Sequence, residues 1–215
     1  MKFRDRGEAG DVLADRIMKA GLTNGNNSVV LGIPRGGIIL ADIVAGRLGA
    51  GFDIVIPRKL TAPDNEELAI GAVMSDGTSY VNQYLVTALR ITPDYIGQEK
   101  SKQATEIQRR MSLYRKPGLD YNLEGKNIIL VDDGVATGST IIAASRWIKK
   151  QRPKLVTVAV PVAPPSTVAM LEQEADAAIV VLVPKEFGSV GQFYQEFDQV
   201  TDEQVIQIMK SRKLI

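Results

Sequence analysis

Two adjacent carboxylates, Asp132 and Asp133, directly follow the apolar run Ile128-Ile129-Leu130-Val131 and directly precede Gly134-Val135-Ala136-Thr137-Gly138-Ser139-Thr140. Carboxylates accept hydrogen bonds from vicinal hydroxyls. A loop of small and hydroxyl residues that opens a helix turns backbone N–H groups toward an anion. Here the hydroxyls of Thr137, Ser139 and Thr140 join them, and together they can cradle a phosphate. A phosphate beside a diol is the outline of a ribose 5-phosphate. The plainer reading of Asp132 and Asp133 is a loop-capping pair, or a metal site of some other α/β enzyme.

A second constellation, Gly32-Ile33-Pro34-Arg35-Gly36-Gly37, follows an apolar stretch and precedes a helical one. That places it at the carboxyl edge of a strand, where open α/β sheets bind ligands. Its glycines match neither the dinucleotide fingerprint nor the Walker loop, because Ile38 stands where a lysine is required. By itself it also reads as an ordinary strand–helix turn with a surface arginine. Arg58 and Lys59 are expected to end the second strand at the same edge, as a cation pair for an anionic group or as a solvated strand end.

The elements that must carry these residues are legible in outline. Helical spacing covers Gly10 to Ala20, Asn24 to Asn27 reads as a turn, and Val29 to Ile33 is a short apolar strand. Gly37 to Leu48 is helical with Gly49 as its C-cap. Ile54 to Ile56 is a strand, and Leu68–Met74 with Thr78–Val81 forms a hairpin around Asp76-Gly77. Thr92-Pro93-Asp94 opens a helix that runs to about Arg115. Ser139–Lys150 is a helix, Leu155–Val160 and Ile179–Val183 are strands, and Thr201-Asp202-Glu203 starts a last helix. Strands alternating with helices predict an α/β, doubly wound, mostly parallel sheet flanked by helices.

Composition narrows the chemistry. The 215 residues are 45% hydrophobic, with a formal net charge of +1 and neither cysteine nor histidine. Thiolate nucleophiles, zinc-thiolate sites, Ser-His-Asp triads and imidazole acid–base steps are therefore excluded. The balanced charge favours neither nucleic acid nor an acidic membrane. No apolar run approaches the roughly 20 residues of a membrane span. Met1 to Gly7 lacks a signal-peptide core, and a soluble cytoplasmic protein is expected.

The thirteen residues from Ile128 to Thr140 resemble the phosphoribosyl pyrophosphate signature of type I phosphoribosyltransferases. With Gly32 to Gly37, Pro57-Arg58-Lys59 and Pro161-Val162-Ala163-Pro164-Pro165, most of the chain is similar to a group of poorly characterised phosphoribosyltransferases of bacteria and archaea. The resemblance implies one domain over residues 1–215, with a small hood from the N-terminal segment and residues 184–200. It implies that Asp132 and Asp133 hold the ribose 2- and 3-hydroxyls and, directly or indirectly, Mg²⁺. Gly134, Val135, Ala136, Thr137, Gly138, Ser139 and Thr140 would enclose the 5-phosphate. Pro34, Arg35, Gly36 and Gly37 would form the pyrophosphate loop, and Arg58 and Lys59 would neutralise the departing pyrophosphate. Catalysis would rest on Asp132, Asp133, Arg35 and Lys59, and Phe187 would stack on a heterocyclic acceptor. Tyr194 is a second stacking candidate, and Trp147 reads as packing.

The implied activity moves a 5-phosphoribosyl group from phosphoribosyl pyrophosphate to a nitrogen acceptor, a nucleobase, in a cytoplasmic homodimer that binds no nucleic acid or membrane. The alternative is a non-catalytic sensor of phosphoribosyl pyrophosphate or a nucleotide that regulates a partner. A synthetase with a similar signature needs a second α/β half, for which the chain has no evident room. Thr61 to Glu67 and the helix bearing Arg109, Arg110, Tyr114 and Arg115 are the candidates for a lid.

Overall fold

A computed structural model of the chain describes residues 2–22 and 27–215, the side chain of Glu67 excepted. Most of the turn expected at Asn24 to Asn27, namely Asn24, Gly25 and Asn26, lies outside the described residues. The chain runs α1 (Arg6–Ala20), β1 (Ser28–Gly32), α2 (Gly36–Leu48), β2 (Gly51–Ile54), β3 (Arg58–Ala62), β4 (Asn65–Val73), β5 (Ser79–Val81), α3 (Gln83–Ala88) and α4 (Pro93–Tyr114). It continues with β6 (Asn127–Val131), α5 (Ser139–Lys150), β7 (Leu155–Val162), α6 (Pro165–Glu174), β8 (Ala177–Leu182), a 3₁₀ turn (Val190–Phe193) and α7 (Asp202–Ser211).

Five strands form a parallel sheet in the order β2-β1-β6-β7-β8. Helices flank it on both sides, as the alternating pattern required. β1 and β6, at its centre, are buried at every position, which is why both read as unbroken apolar runs. One apolar cluster packs α5 and α6 on one face, through Ile141, Ile142, Ile148 and Leu171. The other face buries Leu13 and Ile17 of α1 with Leu40 and Val44 of α2. The connection after β1 crosses toward β2 and the one after β6 toward β7. Between these two carboxyl ends the winding reverses, and such a switch point opens a crevice.

A second, antiparallel sheet, β3-β4-β5, stands beside the first. Its β4–β5 hairpin turns at Gly77 (φ 84°), with the Asp76 carboxylate accepting from the Thr78 N–H at 2.9 Å, as the Asp-Gly pair predicted. A third apolar cluster joins this sheet to α4 and α7 through Leu60, Ile70, Ile107, Val205 and Met209. Arg58 and Lys59 do not end the second strand of the parallel sheet. They begin β3, because the chain leaves the parallel sheet after Ile54 and re-pairs with β4. Among the described residues no helix is long and apolar enough to cross a membrane.

Candidate functional site

A cavity of about 610 Å³ opens at the switch point. One wall is the loop after β1 (Ile33 to Gly36) together with Asp132 to Gly138 and Thr140 from the loop after β6 and the first turn of α5. The opposite wall comes from the antiparallel unit: Pro57, Arg58, Lys59, Thr61, Glu66, and Gln103 and Arg110 of α4. Arg6, Val190 and Phe197 close a third side. The β3–β4 register shifts on either side of Thr61. Such irregularities redirect side chains, and Thr61 is one that reaches the cavity.

The two carboxylates sit in unequal surroundings. Asp132 accepts from the backbone N–H of Asp133 at 2.9 Å. Burial, reinforced by the charge of Asp133, pushes its carboxyl well above the usual carboxylate range, while the charge of Lys59 pulls the other way. Burial also raises the Asp133 carboxyl, but the Arg6 guanidinium opposes that rise. Arg6 Nε donates to Asp133 Oδ2 at 2.8 Å. The Asp133 carbonyl accepts from the Tyr194 hydroxyl at 2.6 Å, so both ends of this residue are held.

Close approach requires glycine at both Gly36 and Gly37 in the loop after β1. A Cβ on Gly36 would lie 1.8 Å from Asp133 Oδ2, and one on Gly37 would lie 2.8 Å from Asp132 Cα. The start of α2 is thereby pressed against the carboxylate pair. The preceding Pro34–Arg35 peptide is cis.

Two helices start at this cavity, and neither has a side-chain cap. α2 begins after Arg35 and α5 after Gly138. By contrast α1, α3, α4 and α7 are capped by Asp5, Asn82, Thr92 and Thr201, while α6, which starts outside the lining behind Pro164, also lacks a side-chain cap. The first N–H groups of a helix need an acceptor, and the partial positive charge there favours an anion. The cavity thus has two anion-seeking helix starts with a carboxylate pair between them.

Cations complete the lining. Arg58 Nε donates to Gln103 Oε1 at 3.0 Å, while burial, then the neighbouring Arg110, lowers its guanidinium from the usual value. Lys59 is exposed in the cavity wall. Arg35 is held from outside the loop by Asp202, at the first position of α7, at 3.3 Å. Asp202 also accepts from the Tyr114 hydroxyl, which holds its carboxyl below the usual range. Burial pushes the Tyr114 phenol up to about 12.

The structure therefore gathers Pro34, Arg35, Gly36, Arg58, Lys59, Asp132 to Gly138 and Thr140 around one space. Gly37 and Ser139 lie just behind that surface, and the Ser139 hydroxyl is 3.3 Å from that of Thr137. Phe187 is not in the lining. It stacks on Phe193 with ring centroids 5.4 Å apart. Trp147 is buried edge-on against Tyr121, as packing. Of the lid candidates, Thr61, Glu66 and Arg110 face the cavity. Arg115 instead forms a buried ion pair with Asp53 of β2 at 2.8 Å. Sequence reasoning missed Arg6, Gln103, Val190 and Phe197. No sequence signal pointed to Arg6, since the first helix was expected only from Gly10 and the structure starts it at Arg6.

Comparison with known proteins accords with this geometry. The phosphoribosyl transferase domain model matches residues 7–189. The chain belongs to that family. It is 37% identical over 204 residues to a Mycobacterium tuberculosis (strain H37Rv) protein provisionally named a phosphoribosyl transferase. That alignment covers 95% of this chain and 45% of the relative, so the chain spans about half the length of that protein. The crystal structure of TT1426 from Thermus thermophilus superposes with a TM-score of 0.81 at 40% identity, covering 98% of this chain and 99% of that one. An adenine phosphoribosyltransferase of Bacteroides fragilis (strain ATCC 25285) is 30% identical over 152 residues, 70% of this chain and 62% of the relative.

Proposed function

We propose that this phosphoribosyl transferase family member moves the 5-phosphoribosyl group of phosphoribosyl pyrophosphate to a nitrogen of a nucleobase, releasing pyrophosphate. The observation that carries this reading is the pair of uncapped helix starts on either side of Asp132 and Asp133. Phosphoribosyl pyrophosphate has two anionic ends separated by a diol, in the same order. The start of α5 with Thr137 and Thr140 receives the 5-phosphate, and the start of α2 with Arg35 receives the diphosphate. Asp132 and Asp133 accept from the ribose hydroxyls.

The reaction breaks the bond from C1 to the diphosphate oxygen and forms one from C1 to the acceptor nitrogen on the opposite face, while the acceptor N–H proton passes to solvent. Positive charge develops on the ribose ring above Asp132, and negative charge gathers on the diphosphate near Arg35, Arg58 and Lys59. Preorganised charges of this kind usually supply the largest part of catalysis. Thr61, Glu66, Gln103 and Arg110 wall the cavity from the antiparallel unit, and their approach excludes water that would compete with the acceptor.

Mg²⁺ fits the donor set. Among the described residues no cluster of three or more ligating side chains is present. Mg²⁺, however, commonly takes one or two carboxylates together with substrate phosphates. Asp132 and Asp133 would hold it directly or through water, and it would offset charge on the diphosphate. A nucleobase acceptor, adenine first, is favoured by the Bacteroides fragilis relative. A chain without cysteine suits a cytoplasmic setting, where thiols stay reduced and disulfides add nothing, and a homodimer is the assembly we assign by family likeness.

The test is calorimetric titration with phosphoribosyl pyrophosphate, with and without Mg²⁺, followed by assay of pyrophosphate release against a nucleobase panel. Mg²⁺-dependent binding with release for one base is expected. Binding with no turnover on any base would replace the transferase by a sensor, and no binding would overturn the ligand assignment.

A further inference from the structure

We propose that Arg6 is a positioning residue for the donor site, one side chain that both neutralises Asp133 and ties the segment 193–198 down beside it. The proposal rests on the phosphoribosyl pyrophosphate reading and extends it to a residue outside every motif.

Arg6 opens α1, 127 positions before Asp133. Its guanidinium is engaged in three directions at once. Nε meets Asp133 Oδ2 at 2.8 Å, one terminal nitrogen donates to the Asp198 carbonyl at 2.7 Å, and the Phe197 ring centroid lies 3.9 Å away. Only the planar fork of arginine serves an anion, a carbonyl and a ring together. The ion pair is well shielded, with 11% and 16% of the two side chains exposed. Gly36 leaves it no slack, since a Cβ there would lie 2.9 Å from Arg6 Nε.

The segment Arg6 reaches is already fastened to the N-terminal residues. Phe3 N–H donates to the Phe193 carbonyl, Gln195 N–H to the Phe3 carbonyl and Glu196 N–H to the Arg4 carbonyl, each at 2.8 Å. These two stretches form one unit that grips Asp133 twice, through Arg6 at the carboxylate and through Tyr194 at the carbonyl.

This makes the two carboxylates different in kind. Asp133 carries a fixed counter-ion and serves to orient. Asp132 has no ion pair among the described residues and faces the cavity without a counter-ion held on it. A bare arginine so near a ring that becomes cationic would oppose the reaction. Paired with Asp133 it does not.

The experiment uses the full chain and three variants, Arg6→Met, Arg6→Lys and, as control, Arg47→Met. Arg47 pairs with Asp11 and Asp15 on the outside of α1, away from the cavity. Binding of phosphoribosyl pyrophosphate, KM, kcat and Tm are measured well below the melting range. Loss of a charged hydrogen bond corresponds to about a tenfold or greater change, and Arg6→Met should raise KM for phosphoribosyl pyrophosphate by that much, with a smaller fall in kcat. Arg6→Lys should fall between Arg6→Met and the unmodified chain, because the ammonium still neutralises Asp133 but cannot serve three partners. Arg47→Met should lower Tm and leave KM alone. An Arg6→Met protein with lowered Tm and unaltered KM would overturn the proposal, because Arg6 would then be structural only. If Arg6→Met does not fold, Phe197→Leu decides: it removes the ring beneath the guanidinium and leaves both ions, so a raised KM supports the clamp and an unchanged one refutes it. Failure of the unmodified chain to bind phosphoribosyl pyrophosphate is a separate result and refutes the ligand, not the clamp.

Discussion

Helices α7 and α5 begin in opposite ways. At α7, Thr201 Oγ1 accepts from the Gln204 N–H at 3.3 Å, and Gln204 Oε1 accepts from the Thr201 N–H at 2.9 Å, a reciprocal box that satisfies two donors locally. At α5 the residue before the helix is Gly138, in the left-handed region (φ 80°), with no side chain to cap anything. Lacking a capping side chain costs about 1 kcal/mol at most residue types and only a few tenths of that where the residue is glycine, as at α5. Helices α2, α5 and α6 lack a side-chain cap, and of these α2 and α5 start in the cavity. The first N–H groups there remain available to an anion because no side chain caps them.

That contrast is open to attack by substitution. The largest effect is expected between the two helix starts, in the double variant Asp132→Asn, Asp133→Asn. Loss of two charged acceptors should reduce affinity for phosphoribosyl pyrophosphate about a hundredfold or more, read by calorimetry. Unchanged affinity and rate would sink the assignment of the pair. Next comes Gly36→Ala. Its Cβ would meet the Asp133 carboxylate at 1.8 Å, so the start of α2 must retreat from the pair. We expect roughly a tenfold or greater loss of affinity, the scale of one charged contact, seen in the same titration.

A matched pair of substitutions then separates binding starts from structural ones. Asn82→Ala removes the cap of α3, whose side chain accepts from the Leu85 N–H at 3.1 Å. It should lower stability by about 1 kcal/mol in a denaturant titration and leave KM unmoved. Thr140→Val, in the first turn of α5, should do the reverse, raising KM by about tenfold with little change in Tm. If both variants behave alike, the distinction between the two kinds of helix start fails.

The smallest effect concerns acid. Arg109, then Arg110, hold the Glu106 carboxyl down at about 2, well below its unfolded value of 4.5. A depressed carboxyl stabilises the fold fully above pH 4.5, and that contribution fades as the pH falls from there toward 2. Glu106→Gln should therefore flatten part of the loss of stability over this interval in acid-unfolding curves. Stability is the readout here, because Glu106 also pairs with Arg110 of the cavity wall at 2.8 Å.

Much of the fold could be read from short windows. Helix α5 has the predicted bounds, Ser139–Lys150, because its apolar spacing and its glycine start are local. The Asp76-Gly77 hairpin and the Thr92-Pro93 helix start are local signals too. Helix α6 escapes a sequence reading because it begins at Pro165 behind Pro164 without a polar cap, and only Thr167 and Leu171 are buried along it. Strand β3 is misassigned from sequence because Arg58-Lys59-Leu60-Thr61-Ala62 alternates too briefly to show which sheet it joins. Only pairing with Ala72 and Val73 of β4 settles that.

The loop from Gly134 to Thr140, the carboxylate pair and the glycine loop were legible as cavity-lining segments because each is a contiguous stretch whose own backbone shapes it. Residue type and order within a few positions dictate such features, and no distant partner is needed. Arg6, Gln103, Val190 and Phe197 were not legible, because each reaches the cavity only after separate elements have been packed together. Phe187 shows the converse: it has the right residue type, yet Phe193 rather than the cavity takes its ring. The order β2-β1-β6 brings the ends of β1 and β6 together across roughly a hundred intervening residues, a non-local pairing that no local pattern encodes. Which of two neighbouring aspartates carries the counter-ion was therefore decided by packing, through an arginine 127 positions away.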